Sequence, residues 1–519
     1  MKSAPLLISI LLVLMLLSCN KRNSKYSSAA TFPTSVYNDT NEDQGEMLAQ
    51  MYCATCHQYP EPSLLDKNTW KEFILPRMGY MYGIYKDSTE REALFEQNEG
   101  GVIVRQRNLF PKRQRMHDTI WEAITNFYLK KAPESITSPK KKNITMDLSQ
   151  FQPIFPQQKV PMPSSTFVEF SDRGTLYLGD AATKSFSEFS TDLQLLNTGN
   201  VQEGAVSLYE GEDDFWLTVM GSFSPTDAPK GFIATLPKNK GESSVPIKDL
   251  QRPVHSSYGD IDNDGDTDVI VCEFGKWTGG LSLFRNVGNG MYSKSTLLPT
   301  PGAIKAYLRD MDSDGDLDVV ALFAQGDEGI DIFYNYGEGQ FDRKRVLKFH
   351  PSMGSSFFDL IDYYNDGHLD ILYTAGDNAD YAPVMKPWHG VYVYLNDGEN
   401  TFSEELFLHL NGAYNAVVND FDGDGDSDIA AISFFPDWQN TPEEGFVYFK
   451  NEGNSFSQHT FPEVNKGRWV VMDASDYDKD GDVDLVLGSL AFEVVPKMGY
   501  VEKWIEEGIP FVVLQNTQY

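Results

Sequence analysis

The feature that most restricts this chain is a nine-residue acidic segment that returns five times, each time running into an apolar stretch. It reads DIDNDGDTDVIV from Asp260, DMDSDGDLDVVA from Asp310, DYYNDGHLDILY from Asp362, DFDGDGDSDIAA from Asp420 and DYDKDGDVDLVL from Asp476. The ninth-position aspartates, at 268, 318, 370, 428 and 484, stand 50, 52, 58 and 56 residues apart. Self-similarity at such a period marks one supersecondary unit stacked on its neighbours. Later in each unit comes an aromatic run ending near Asn: LSLFRN, IDIFYN, VYVYLN, FVYFKN and FVVLQN. A loop, a strand and further short strands at fixed spacing make one blade of antiparallel sheet.

The acidic segments have their own chemistry. Carboxylates at positions 1, 3, 5 and 9, with Gly at 6 for a sharp turn, match the first nine positions of an EF-hand loop. Without a cation, so many carboxylates in nine residues repel one another. Expected side-chain ligands are Asp260, Asp262, Asp264 and Asp268, with Asp266 giving its backbone carbonyl; Asp310, Asp312, Asp314, Asp316 and Asp318 repeat the set. So do Asp420, Asp422, Asp424, Asp426 and Asp428, and Asp476, Asp478, Asp480, Asp482 and Asp484. Hard oxygens in this number suit Ca²⁺ better than Mg²⁺, with four ions expected and a fifth in question. In the Asp362 segment Tyr364 and His368 replace two aspartates, leaving Asp362, Asp366 and Asp370. The competing reading is a set of solvated turns. The glutamate of EF-hand position 12 is missing, so the ions would be structural pins rather than switches.

Near the N-terminus, MYCATCHQYP holds two of the chain's four cysteines three positions apart, with His57 directly after the second. A C-x-x-C-H run is the attachment signature of c-type haem: Cys53 and Cys56 add to the vinyl groups, and the His57 imidazole becomes the proximal iron ligand. A thiol-redox pair would begin a helix after a strand, and zinc would need a second ligand pair nearby. The compartment matters here. Lys2 precedes an apolar run over 6–17 of signal-peptide length, too short for a comfortable bilayer span. LLSC, ending at Cys19, resembles the bacterial lipobox, which implies a lipidated Cys19, a signal segment over 1–19 and anchoring by acyl chains. Asn20 is not the aspartate that a resemblance to inner-membrane lipoproteins would imply, so outer-membrane anchoring is expected, facing the periplasm with cell-surface exposure as the alternative, and 20–40 as a flexible polar tether. Cys272 stands alone. The formal net charge is −32, with no basic stripe after residue 150, which argues against a nucleic-acid partner.

Around the haem signature the pattern is helical. NEDQGEMLAQMY, NTWKEFILPRM, STEREALFEQN and DTIWEAITNFYLKKAP bring apolar residues to one face, with Pro76 expected to limit the second helix. Thr89–Glu92 and Thr119–Glu122 have capping-box spacing. One helix before the motif and a closing aromatic helix resemble a class I cytochrome c domain over residues 41–133. That resemblance implies one covalent haem c, single-electron transfer, a redox partner protein and a methionine as sixth ligand. Met78, in what reads as a loop, is the leading candidate, with Met81, Met116 and His117 as alternatives. Residues 134–165, rich in Pro, Lys, Ser and Gln, read as a linker or an irregular surface wrap.

The five acidic segments resemble the FG-GAP/VCBS repeats of integrin-α-like β-propellers. Residues 166–519 then hold between six and seven units, and GTLYLGD and GEDDFWLTVMGSF fit two blades lacking an acidic loop. The expected architecture is a small all-α cytochrome c domain followed by a seven-bladed all-β propeller. Three functions follow. The leading one is an electron-transfer module whose propeller docks a redox partner or ligand. The second is a haem-linked sugar or alcohol dehydrogenase, the third a glycan- or protein-binding adhesion lipoprotein. No Walker A loop or Rossmann fingerprint occurs, and no local stretch singles out a nucleophile and base.

Overall fold

The computed structural model describes residues 42–518 apart from 138, 140–142, 203, 240, 338, 379–383, 493 and 495–496. Cys19 and the segments assigned to signal and tether lie outside the described residues.

The helical part holds α1 (Glu42–Cys53), α2 (Leu75–Met81), α3 (Ser88–Ala93), α4 (Glu99–Gln106) and α5 (Asp118–Lys131). α1 packs against α5, and the crossing is tight at Gly45, where a Cβ would stand 2.8 Å from Phe127 Cβ and 2.9 Å from the Ala123 carbonyl. Leu48, Ala49, Trp70, Ile124, Phe127 and Tyr128 form the core beneath it. Three sequence expectations are corrected. Pro76 does not limit its helix: a π-turn over Trp70–Ile74 lets Leu75 N–H bond the Trp70 carbonyl, and α2 carries on through Pro76. Near a helix start a proline lacks only an N–H that has little use there. Neither capping box is the cap used. Asp87 accepts from Thr89 and Glu90 N–H at α3, and His117 accepts from Thr119 N–H at α5. A carboxylate or imidazole two residues ahead reaches the same orphan donors.

Seven four-stranded antiparallel sheets follow. Strand β1 (Phe151–Ile154) comes first in the chain but belongs to the last blade. Blade 1 is β2 (Ser165–Phe170), β3 (Leu176–Asp180), β4 (Ser185–Phe189) and β5 (Leu195–Asn200). Blade 2 is β6 (Ala205–Glu210), β7 (Asp214–Val219), β8 (Gly231–Pro237) and β9 (Ser244–Leu250). Blade 3 is β10 (Pro253–Gly259), β11 (Asp268–Glu273), β12 (Gly280–Asn286) and β13 (Tyr292–Leu298). Blade 4 is β14 (Ala303–Arg309), β15 (Asp318–Phe323), β16 (Gly329–Asn335) and β17 (Phe341–Lys348). Blade 5 is β18 (Ser355–Ile361), β19 (Asp370–Ala375), β20 (Gly390–Asn396) and β21 (Phe402–His409). Blade 6 is β22 (Ala413–Asn419), β23 (Asp428–Ser433), β24 (Phe446–Asn451) and β25 (Phe456–His459). Blade 7 is β26 (Trp469–Ser475), β27 (Asp484–Ser489) and β28 (Phe511–Asn516), closed on its outer side by β1, with α6 (Tyr500–Glu507) between β27 and β28.

The apolar runs after the acidic segments are the second strands. β11, β15, β19, β23 and β27 are buried at every residue, because neighbouring blades cover both faces. All seven first strands shift register at their second residue, from Thr166 round to Val470. Such a bulge bends a strand and increases its twist.

The stretch read as a linker is part of the propeller. Thr145 bridges His459 beside β25, and β1 pairs with β28 from Phe151↔Asn516 to Ile154↔Val513. Phe151 is buried and meets Phe421 and Tyr448 edge to face. Its Pro-rich composition hid this, since an outer strand tolerates Pro153.

The helical part is docked on the propeller. Glu96 accepts from Thr226 Oγ1 at 2.6 Å and from Asp227 N–H at 3.2 Å, with Lys276 Nζ 3.7 Å away. Phe95, Val104 and Phe110 cluster with Trp277, whose ring meets Phe110 edge to face at 5.1 Å. Asp227 is fully buried, and its Oδ1 accepts from the N–H groups of Lys276, Trp277 and Thr278 and from Thr278 Oγ1. It thereby shapes the turn that presents Trp277. Thr226, Asp227, Lys276 and Trp277 lie in connections between second and third strands, whereas the acidic segments join first strands to second strands. In an antiparallel blade these are opposite ends. The helical part and the acidic loops therefore occupy opposite faces.

Candidate functional site

Each acidic segment closes the hairpin between the two innermost strands, flanked by pairs such as Gly259↔Asp268 and Arg309↔Asp318. The loop backbone folds onto the first aspartate: Asp260 accepts from Asp264 and Gly265 N–H at 3.1 and 2.9 Å. Position 6 needs glycine because φ there is +92° at Gly265, +95° at Gly315 and +102° at Gly481. Position 4 also turns left-handed, at Asn263, Ser313, Asn365 and Lys479.

Four loops gather carboxylate oxygens of positions 1, 3 and 9 within 4.8 Å of one another: Asp260, Asp262 and Asp268; Asp310, Asp312 and Asp318; Asp420, Asp422 and Asp428; Asp476, Asp478 and Asp484. Asp262 Oδ1, Asp476 Oδ1 and Asp478 Oδ1 are buried without a hydrogen-bond partner. Burial pushes Asp318 and Asp428 up to about 6 and Asp484 up to about 7, with neighbouring aspartates adding to the effect against backbone N–H donors. This donor set fits a divalent cation of oxygen preference. The expected position-5 ligands stand apart from these clusters. Asp264, Asp314, Asp424 and Asp480 each turn Oδ1 to the N–H of the residue two ahead, namely Asp266, Asp316, Asp426 and Asp482.

The Asp362 segment keeps the loop and lacks the cluster. Asp362 still accepts from Asp366 and Gly367 N–H, each at 2.9 Å. Tyr364 turns outward and donates to Glu405, so Asp362, Asp366 and Asp370 are not brought together as a third-position carboxylate would allow. Asp370 keeps the job common to position 9, holding Tyr363 and Asn396 N–H. The same bond runs from Asn286, Asn335, Asn451 and Asn516 N–H to Asp268, Asp318, Asp428 and Asp484 at 2.7–2.8 Å. This explains the Asn that ends every aromatic run. Asn335 and Asn516 also donate from Nδ2 to the Ile261 and Phe421 carbonyls of the preceding blade, tying loop to loop around the ring.

A second group, not legible in the sequence, lines the axis. The first strands of blades 1, 3, 4, 5 and 7 contribute Glu169, His255, Lys305, Tyr307, Asp359 and Asp473. The Lys305 ammonium lies over the Phe357 and Tyr307 rings at 4.1 and 4.8 Å. Burial pushes Glu169 up to about 8, with Asp473 adding to it, and pushes Asp473 up to about 6. A carboxyl raised in the folded state holds its proton there more tightly than in the unfolded chain, so stability falls as pH rises through that window. Between the ordinary 4.5 and about 8, Glu169→Gln is expected to remove about 1–2 kcal/mol of that fall. Urea unfolding of both proteins across the window checks this; parallel stability curves would show that Glu169 titrates normally.

In the helical part, Cys53 is the buried last residue of α1 and Cys56 is exposed. Tyr82 Oη donates to the Tyr52 carbonyl at 2.9 Å, Tyr128 Oη to Pro60 at 2.7 Å and Trp70 Nε1 to Pro62 at 2.9 Å, pinning the motif segment to the core. His57 Nδ1 lies 2.8 Å from the Gln58 carbonyl, which leaves Nε2 as its outward nitrogen. Burial pushes the Cys53 thiol up to about 11. A helix C-terminus and a protonated thiol are the reverse of what activates a redox cysteine. Among the described residues the clusters of three or more metal-ligating side chains are the four aspartate sets alone, so no zinc quartet gathers around this pair. Met78 sits on α2 rather than in a loop, half-buried against the core that holds Cys53; Met116 is fully buried there.

The fold and its loops define a seven-bladed β-propeller whose hairpins gather aspartate clusters able to hold a metal ion. Residues 260–321, 310–373 and 420–487 match the FG-GAP-like repeat family. No curated protein matches the chain in sequence. Among solved structures, it is similar to BBS1N in complex with ARL6DN, at 9% identity over 71% of this chain and 97% of that one, with a TM-score of 0.44. It is also similar to virginiamycin B lyase from Staphylococcus aureus (11% identity, 71% and 99% coverage, TM-score 0.45) and to the N-terminal domain of Nup159 (9%, 73% and 99%, 0.40). Likeness at this level carries no argument about activity or ligand.

Proposed function

We propose that the chain is an exported, lipid-anchored c-type cytochrome that passes single electrons, with a calcium-stabilised propeller as its docking or ligand-binding platform. The observation that carries this is the C-A-T-C-H segment, pinned by three side chains at the end of α1, with one thiol against the core, one exposed and an imidazole nitrogen turned outward. Haem, when bound, supplies reversible one-electron chemistry. Cys53 and Cys56 would hold it through thioethers and His57 through Nε2, while the Gln58 carbonyl fixes the ring orientation. Met78 is the proposed sixth ligand. The exposed faces of Met47 and Met51 on α1 are apolar surface suited to a large porphyrin beside the motif. Cys19 would carry the lipid and place the chain on the periplasmic side of a bacterial outer membrane, with a redox protein as partner. Calcium is assigned to the four clustered loops on charge and ligand hardness.

Acid–acetone treatment of the exported protein should leave one haem on the chain, and the Cys53→Ala/Cys56→Ala variant should carry none. Freely extracted haem would exclude the covalent assignment. Met78→Ala is expected to abolish a ferric methionine–iron charge-transfer band and to lower the potential, since a hard oxygen would replace a soft sulfur. If Met116→Ala does this and Met78→Ala does not, the ligand is Met116.

A further inference from the structure

The outer strand of each blade presents an unpaired edge, and natural sheets guard such edges with charge, proline, shortness or a cover. Six of the seven outer strands carry a guard. β9 has Pro246, Lys248 and Asp249, β13 has Lys294, β17 has Asp342 and four basic residues, and β21 has Glu404 and Glu405. β1 has Pro153 and spans four residues. β25 is equally short, and its far side is taken by Thr145, which donates to the Gln458 carbonyl and accepts from Thr460 N–H. β5 has none of these.

β5 reads LLNTGN, without a charged residue or a proline, and it is exposed at all six positions, which no other strand is. Leu195 and Leu196 are 41% and 51% exposed, and among the described residues nothing pairs with the strand beyond β4. On that free side alternate N–H and C=O groups point outward.

We propose that β5 pairs antiparallel with β5 of a second copy of this chain, joining two blades 1 into one eight-stranded sheet. Charge selects that occupant. The chain carries a formal −32, so two copies repel along most approaches, and β5 is the one outer strand that combines no fixed charge to meet its own image with no proline and no covering segment. At the ends of the strand the charges are complementary. Exposed Asp192 precedes its start, and exposed Lys184 lies beside its end, where Val201 N–H bonds the Lys184 carbonyl. Antiparallel pairing sets the Asp192 end of one copy against the Lys184 end of the other. The contact is isologous, so it closes at two and does not propagate. Six residues of strand cover less than the roughly 1,200 Å² of a tight interface, so the dimer is concentration-dependent.

Sedimentation of the purified chain over a dilution series tests this. Wild type should shift from monomer toward dimer as concentration rises. Leu196→Lys, which restores a charge guard, should weaken the dimer at least about tenfold. Thr198→Pro, which removes a ladder N–H, should do the same, with circular dichroism unchanged in both variants. A monomer at every concentration overturns the proposal, and so does a dimer that both variants leave intact, since it would use another surface.

Discussion

Chelation of divalent cations is expected to lower the propeller's thermal transition by about 10–15 °C. A site filled at a hundred times its dissociation constant adds about 2.7 kcal/mol to the folded state. Four such sites add about 10 kcal/mol, and a domain of this size has an unfolding entropy that converts this into a shift of that order. The clusters supporting it are Asp260/Asp262/Asp268, Asp310/Asp312/Asp318, Asp420/Asp422/Asp428 and Asp476/Asp478/Asp484. Asn335 ties the blade 4 loop to that of blade 3, and Asn516 the blade 7 loop to that of blade 6, so ions lost from one blade of a pair loosen its neighbour. Calorimetry with and without chelator, followed by calcium re-addition, measures this. The helical part has its own core and meets the propeller through the contacts around Glu96 and Trp277, so its transition should move less. An unchanged propeller transition would mean that the aspartate loops are solvated turns.

Asp227→Ala is expected to cost about 3–5 kcal/mol, because it leaves buried donors without an acceptor. Three N–H groups and the Thr278 hydroxyl converge on Oδ1, whereas Oδ2 is buried without a partner. Asp227→Asn keeps the accepting oxygen and should recover more than half of the loss in urea unfolding. An asparagine variant as weak as the alanine one would show that the charge, rather than the four bonds, stabilises the turn. The alanine variant should also release the helical part. With the 276–278 turn slack, Trp277 no longer meets Phe110, and proteolysis between 133 and 145 should accelerate.

The acidic loops were legible because carboxylates this crowded admit few other purposes, and their period revealed the blades. Asp370 shows the limit of that reading. Its segment has the right residues for the hairpin, yet Tyr364 breaks the carboxylate set, so hairpin and aspartate cluster part company at one position. The left-handed residue at position 4 was hidden because Lys479 and Ser313 do not advertise positive φ. The axial group was invisible in principle, since Glu169, Lys305, Asp359 and Asp473 come from four blades and no local window contains two of them. In the helical part, apolar spacing placed α1 and α5 correctly. Proline and capping patterns misled where a π-turn and residues two positions upstream did the work instead.

The pairing of β1 with β28 bears on how the protein is made. The last blade is completed by the earliest and the latest strands of the propeller, Phe151 meeting Asn516. Until residue 516 has been synthesised, β1 and β27 each keep an open edge, and sheets with open edges are prone to mispairing. A chain interrupted anywhere in its final blade cannot shut the ring, and it stays recognisable to proteases as unfinished. Ring closure therefore waits on the last propeller strand, and the final blade cannot be completed before β28 reaches β1.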